Sequence, residues 1–408
     1  AGAAGAPKSP KEIQDYINAE LQRIVDSSNS PQAIRDAAKK ALPQFNDLDF
    51  VSGLESLENM EKEMASKLGH VQPPADPATP AASADLRALL LDASERGAPV
   101  EIKDFRGVDL SNIEVTGLDL QYADFTSANL RGTIFRNCNL EYACFAHSDM
   151  SYAKILYCSA KSANFGNAQL DEASLLFNKF INAVFHMTTG VNTKFSFSNL
   201  TEAVFYQVKF VGAEFIKSIL LKAQIIESDL TSSWFNGANL ESVFFMDTEL
   251  SGSIFADVSS ERMAFVGGNF KNVNFSDSVL SKLSVMKEVS FDQSNFKNAD
   301  LSEANLRGSS LISANFSHAT LNKTDLSETN LSRTRFVRAF ARESRFHRAH
   351  IEHVDFTGAD LMNANFLLAV FNNCEVKDAN FFSADFMKAK IKDVNFDSAN
   401  VKRTMLKK

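Results

Sequence analysis

The sequence predicts a mainly-β solenoid, a rod of stacked coils in which five residues make one side. Three observations carry this. Large apolar residues recur every five positions from Phe105 to Val285 and, after a slip of one residue, from Phe291 to Leu406. That period fits neither an ordinary helix nor an ordinary strand, and a short fixed repeat marks units that stack around a continuous core. Residues twenty apart are alike: one column reads Phe105, Phe125, Phe145, Phe165, Phe185, Phe205, Ile225, Phe245, Phe265, and another Phe195, Phe215, Phe235, Phe255, Phe275. Phe296, Phe316, Phe336 and Phe356 stack in the same way below the slip. If four sides close a coil, like lies on like and rings pack in offset ladders. Third, no proline occurs after Pro99, as expected of a backbone ladder that needs its N–H groups.

A small residue stands two before each large one, as at Ala123, Ala128, Thr133, Cys138 and Ala143. It must point inward, where a square coil leaves little room. Ala160, Gly190 and Ser260 put a small residue on the beat itself. Written out as Ala-Asp-Phe-x-x and Ala-Asn-Leu-x-x, the pattern resembles the pentapeptide-repeat family over about three quarters of the chain. The resemblance implies a right-handed quadrilateral β-helix of about fifteen coils, a rod on the order of 70 Å at the spacing of paired strands.

Composition bounds the rest. The chain has 408 residues, 45% of them hydrophobic, and a net charge of −8. No apolar run is long enough for a transmembrane segment. Ala1 to Pro7 has no apolar stretch behind it, so no signal peptide is expected. The four cysteines form no C-x-x-C pair. Cys138 and Cys158 fall in adjacent coils, where a disulfide is conceivable but buried thiols are the better reading. Thiols fit a reducing compartment: bacterial cytoplasm, or host cytosol for a secreted protein.

In chain order, residues 1–8 read as a disordered leader. Residues 9–70 read as a small helical module. Ser9-Pro10-Lys11-Glu12 is a helix start, followed by the stripe Ile13, Tyr16, Ile17, Leu21 and Ile24. Ser30-Pro31 opens a second helix, and Leu54, Leu57, Met60, Met64 and Leu68 mark a third. Residues 71–84, with Pro73, Pro74, Pro77 and Pro80, read as a semi-extended linker. Residues 85–98 read as a capping helix, from about Leu86 to Glu95, closed by Arg96-Gly97. It would cover the first coil of the β-helix at 99–408.

Two irregularities stand out. Gly190 on the beat predicts a loosened or bulged side. The slip at 286–291 predicts a bulge that absorbs one residue, with Glu288 and Ser290 where the old register points inward, and a place for a bend. At the far end, Phe386, Ile391, Phe396, Val401 and Leu406 close the repeat. An open core end exposes apolar side chains and unpaired backbone groups. The resemblance implies end-to-end homodimerisation through these coils.

No catalytic or metal motif appears, and no cofactor is expected. Asp104, Asp109, Glu114, Asp119 and Asp124 form an acidic ring whose members diverge over four faces. Three candidate partner-binding features rise above the background. Arg333, Arg335, Arg338, Arg342, Arg345 and Arg348, with His347, His350 and His353 against Glu343 and Glu352, form a basic band, fit for an anion, a phosphoinositide or an acidic partner, or simply a solvated face. Tyr157, Phe177 and Phe197 form an outward column beside Leu156, Leu176 and, past Ser196, Ile216; a partner protein or the N-terminal helices would cover it. Trp234 stands one before the beat, with Ile254 beside it in the next coil and Phe244 facing the opposite way.

A repeat scaffold does not carry its function in its repeat. The leading reading is a non-enzymatic protein–protein interaction scaffold, with the helical module for a partner or for targeting. The linker and helix leading into the coils also resemble bacterial effectors, some of which place a catalytic domain after the coils. The alternative implied by the family is a DNA mimic that binds a type II topoisomerase such as gyrase. That reading needs a continuous acidic face, which the arginine band interrupts. No direct nucleic-acid binding is expected.

Overall fold

The computed structural model describes residues 73–406. The leader and the helical module at 9–70 lie outside the described residues. The chain divides into two compact units, 1–72 and 73–408.

The second unit is a parallel β-solenoid. Its four faces are centred on the large apolar residues: face 1 on Phe105, face 2 on Leu110, face 3 on Val115, face 4 on Leu120, and so on each twenty residues. The centres above the last coils are bonded along the axis. Phe105 N–H donates to the Asp124 carbonyl, and Asp124 N–H donates back to the Lys103 carbonyl, 2.8 and 2.7 Å. This pair repeats from coil to coil. Extended strands form on three faces: β1–β4 (Glu114–Thr116, Ile134–Arg136, Lys154–Leu156, Ser174–Leu176) on face 3, β5–β10 (Val184–His186 to Ser284–Met286) on face 1, and β11–β13 (His350–Glu352 to Lys390–Lys392) on face 2. All pairings are parallel and in register at one coil. Elsewhere single bridges and tight turns make the sides.

The rings stack as the columns predict. Phe105 to Phe205 stack at 4.8–5.1 Å on face 1. Phe195 to Phe275 stack at 4.4–5.1 Å on face 3, and the column continues unbroken through Phe296 to Phe356. Rings from opposite faces meet edge-on across the core, as Phe185 meets Phe195 at 85°. At every corner down to Asp393 the residue two after the centre takes the left-handed conformation, whatever its identity. Coil closure imposes what local preference disfavours.

The small inward residue has a second task. After a turn side its N–H bonds back three residues, as Ala123 to Leu120. At other positions it finds a side chain of the next coil instead: Cys138 N–H donates to Cys158 Sγ, Cys158 N–H to Asn178 Oδ1 at 2.8 Å, and Asn178 N–H to Ser198 Oγ at 3.0 Å. Polar residues recur there because a buried N–H without a partner is costly. The four cysteines are free thiols. The neighbouring thiol and burial hold Cys158 well above the usual thiol range.

Helix α1 spans Pro80–Arg96, capped by Thr79 and by Gly97 at φ 65°. It starts earlier than residue 85, because Thr79 accepts the Ala82 N–H and Pro80 sits in the first turn, where its missing N–H costs nothing. Residues 73–79, read as linker, lie extended along the first coils: Ala78 N–H bonds the Gly107 carbonyl at 2.9 Å and Ala75 N–H bonds Ser127 Oγ at 3.0 Å. Leu90 and Ala93 are buried against the core. The helix also closes the coil edge chemically. Ser83 and Ser94 accept the N–H groups of Asp109 and Thr116, and Arg87 donates to the Ser111 carbonyl at 2.7 Å. In later coils those groups pair with a neighbouring coil.

The slip falls where the sequence places it, and Gly190 behaves differently from the expectation. Gly190 does not loosen its side. Its N–H keeps the ladder bond to Lys209 at 2.9 Å, and Leu170, Thr193 and Phe210 fill the space of its missing side chain. Ala341 is a further small residue on the beat, also buried. At the slip the extra residue is Glu288, which turns outward, while Val289 takes the inward place and Ser290 precedes the new centre. Neither Glu288 nor Ser290 enters the core. All four faces then pair at 21 rather than 20 residues, as Asn269 with Ser290 and Ser284 with Asn305. At the last coil Phe386 and Val401 are buried, and Ile391, Phe396 and Leu406 are partly exposed.

These contacts set the expected effect of three substitutions. Leu90→Ala should cost about 2–5 kcal/mol and Ser94→Ala about 1 kcal/mol in equilibrium denaturant unfolding. Gly190→Leu restores the repeat yet should destabilise by about 1–3 kcal/mol through overpacking; an increase in melting temperature would contradict the filled space around Gly190.

Candidate functional site

The solenoid is filled, so whatever it binds it meets from outside. Each face offers the residues one before and one after the centre, and each corner the residue two after it. Among the described residues no cluster of three metal-ligating side chains exists, and no helix is long and apolar enough to cross a membrane. Asp104 pairs with Arg106 at 2.7 Å, and that hydrogen bond holds its carboxyl below the usual range.

The six arginines do not share a face. Arg333 lies on face 2, Arg335 and Arg338 on face 3, Arg342 on face 4, Arg345 and Arg348 on face 1. Arg342 pairs with Asp360 at 2.6 Å, Arg345 with Asp325 at 3.7 Å and Arg348 with Glu328 at 3.7 Å. Glu328 also takes Arg307 at 3.0 Å. His350 and His353 both approach Glu352. Burial and the Arg348 charge hold His347 below its usual range. Charges of both signs therefore alternate along the axis here. Arg333, Arg335 and Arg338 have no ion pair among the described residues.

The aromatic column is brought together. Tyr157, Phe177 and Phe197 stack at 5.0 and 5.1 Å on the corner after face 3. All three are left-handed, at φ 59–60°. They remain 56%, 43% and 48% exposed. Leu156, Leu176 and Ile216 line the adjacent face half-buried, with Ser196 buried between them. Trp234 is on the same face but its other edge, between Glu214 and Ile254, and 47% exposed. Phe244 is on face 1, opposite. A second stacked pair, Tyr122 and Tyr142 at 5.0 Å, sits on the corner after face 4.

One surface was not anticipated from the sequence. On face 1 the outward side chains of β5–β10 are Val184 and His186, Val204 and Tyr206, Gln224 and Ile226, Phe244 and Met246, Ala264 and Val266, Ser284 and Met286. None is charged at neutral pH, since burial holds His186 below its usual range. His186 stacks on Tyr206 at 5.5 Å and its Nδ1 is buried without a partner. Val204, Ile226 and Val266 point outward yet are almost fully covered by their neighbours. The signal was present at the two positions flanking each face 1 centre, taken by twenties.

The family models described as pentapeptide repeats and as a pentapeptide repeat region match residues 119–154 and 289–366. No curated protein matches the chain. Similar solved structures include full-length QnrB1, a plasmid-mediated fluoroquinolone resistance protein. It is 16% identical, covers 49% of this chain and 91% of its own, and has a TM-score of 0.33. HetL, from the cyanobacterium Nostoc and involved in heterocyst differentiation regulation, is 18% identical over 78% of this chain and 94% of its own, with a TM-score of 0.19. A protein of the Arabidopsis thaliana thylakoid lumen is 26% identical over 22% of this chain and 63% of its own, with a TM-score of 0.22. The family assignment rests on the repeat and not on these likenesses: by its matched repeats and its four-sided coils, the chain belongs to the pentapeptide-repeat family.

Proposed function

We propose that this protein is a non-enzymatic scaffold whose outer surface binds another protein. The observation that carries this reading is the stacked ladder of Tyr157, Phe177 and Phe197. Three large rings stay about half exposed at corners where the left-handed backbone favours glycine or asparagine. Gly117 and Asn137 hold the two coils before them in the same column. Aromatic side chains there meet neither the local backbone preference nor the needs of the core, and exposed aromatic clusters are typical binding anchors.

The alternation of charge supports the scaffold over a DNA mimic. Ion pairs such as Lys194 with Glu214 and Arg342 with Asp360 break the lateral faces into short patches. A mimic needs one sign of charge along a whole face. Homodimerisation through Ile391, Phe396 and Leu406 is compatible with their partial exposure and is an additional proposal, tested by sedimentation at micromolar concentration.

The test is affinity capture with the full chain, compared with a triple variant Tyr157→Asn, Phe177→Asn, Phe197→Asn. Asparagine keeps the corner conformation, so folding should be retained. A direct partner should be lost with the triple variant and kept with Arg338→Glu. Equal recovery by the triple variant would remove the ladder from the interface. Capture of a type II topoisomerase by both would favour the DNA-mimic reading.

A further inference from the structure

We propose that face 1 between Val184 and Met286 is a docking surface for an amphipathic helix that carries lysine or arginine along one edge. This rests on the scaffold reading, but face 1 lies opposite the face beside the aromatic ladder, so either surface can fail alone.

Three features of the face argue for it. It is bounded rather than continuous. Above it the flanking pairs Asn164 and Gly166, then Cys144 and Ala146, are small and uncharged up to Asp124; below it Arg307 flanks the next centre, and no lysine, arginine or carboxylate flanks a face 1 centre between Val184 and Met286. The other faces carry lysine or carboxylate over the same coils, as at Lys209, Glu214 and Glu241. It is also closely covered: Tyr206 and Met246 lie on either side of Ile226 in the register, and Ile226 and Val204 are almost fully buried.

The third feature is the border. Along the corner between faces 1 and 2 runs a groove of about 540 Å³ lined by Met187, Gln207, Glu227, Asp229, Asp247 and Glu249 among others. Its four carboxylates face one lysine of the groove, Lys209, and Lys287, which reaches Asp247 at 3.5 Å. The apolar face therefore has an acidic edge.

Geometry selects the occupant. The sheet's N–H and C=O groups are spent on the neighbouring coils, so a partner strand has no edge to join along this face. A helix needs none, because its backbone is satisfied internally. Six strands at about 4.8 Å extend roughly 25 Å along the axis, the length of a helix of about 16 residues. Its apolar stripe would lie on Tyr206, Phe244 and Met246, and cationic side chains on one edge would meet Glu227 and Asp247.

The test uses the full chain and two synthetic helical peptides of about 18 residues. Both carry a leucine stripe; one has lysines along one edge and the other glutamates at the same positions. Fluorescence anisotropy should show the lysine peptide binding at least about tenfold more tightly than the glutamate peptide. Met246→Glu should weaken it by about tenfold. Glu227→Lys with Asp247→Lys, both at exposed corners, should reverse the preference between the peptides. Circular dichroism checks that each variant keeps its coils, and the corner variant decides if Met246→Glu does not fold. Failure of both peptides, binding without charge preference, or binding indifferent to the corner reversal would overturn the proposal. So would protection of Met246 from oxidation in the free protein. Concentration-independent protection would mean that the chain covers the face itself, and concentration-dependent protection would mean that a second copy does.

Discussion

Everything in this protein depends on the bond between successive coils. Away from the ends, a side donates one N–H up and one down around its face centre, so a residue can only lie over its counterpart in the next coil. That constraint converts a sequence period into a physical column. It sets phenylalanine on phenylalanine at about 5 Å, excludes proline from the sides, and forces the corner residue into the left-handed region even when it is tyrosine or lysine. It also explains Gly268, at φ 93°: a Cβ there would lie 2.5 Å from the Thr248 carbonyl oxygen of the coil above. The strain at each corner is small beside the burial and hydrogen bonding that closure secures.

A ladder of this kind has no natural beginning, and the chain supplies one. Helix α1 brings leucine and alanine to the open core and, in Ser83, Arg87 and Ser94, the polar atoms that the first coil lacks. The same logic governs the interior. At Cys138, Cys158 and Asn178 a thiol, amide or hydroxyl from the next coil accepts the inward N–H. The register slip is tolerated because the insertion is placed at a corner. Glu288 turns to solvent and the shift passes to all four faces together.

The surface inherits the same column rule, with a functional consequence. Charges placed in axial neighbours neutralise one another, and such exposed pairs contribute little to stability. Columns without charge accumulate into continuous apolar surfaces. The corner ladder at Tyr157–Phe197 and the sheet face at Val184–Met286 are two departures from a charged, solvated exterior among the described residues. They lie on different sides of the same solenoid.

The sequence by itself determined the face centres, the stacking columns, the inward small residues and the outward aromatic column. Each of these depends only on a side chain's own size and its place in the period. It also located the slip and the end of α1. Tertiary structure alone decided how the inward N–H groups of Cys158 and Asn178 are satisfied, because their acceptors come from the next coil. It decided that Gly190 costs no cavity, since Phe210 and Leu170 come from other coils. It divided six arginines, close in sequence, among four faces. And it made face 1 a surface, because Val204, Ile226 and Val266 point outward yet are almost fully buried once the coils stack.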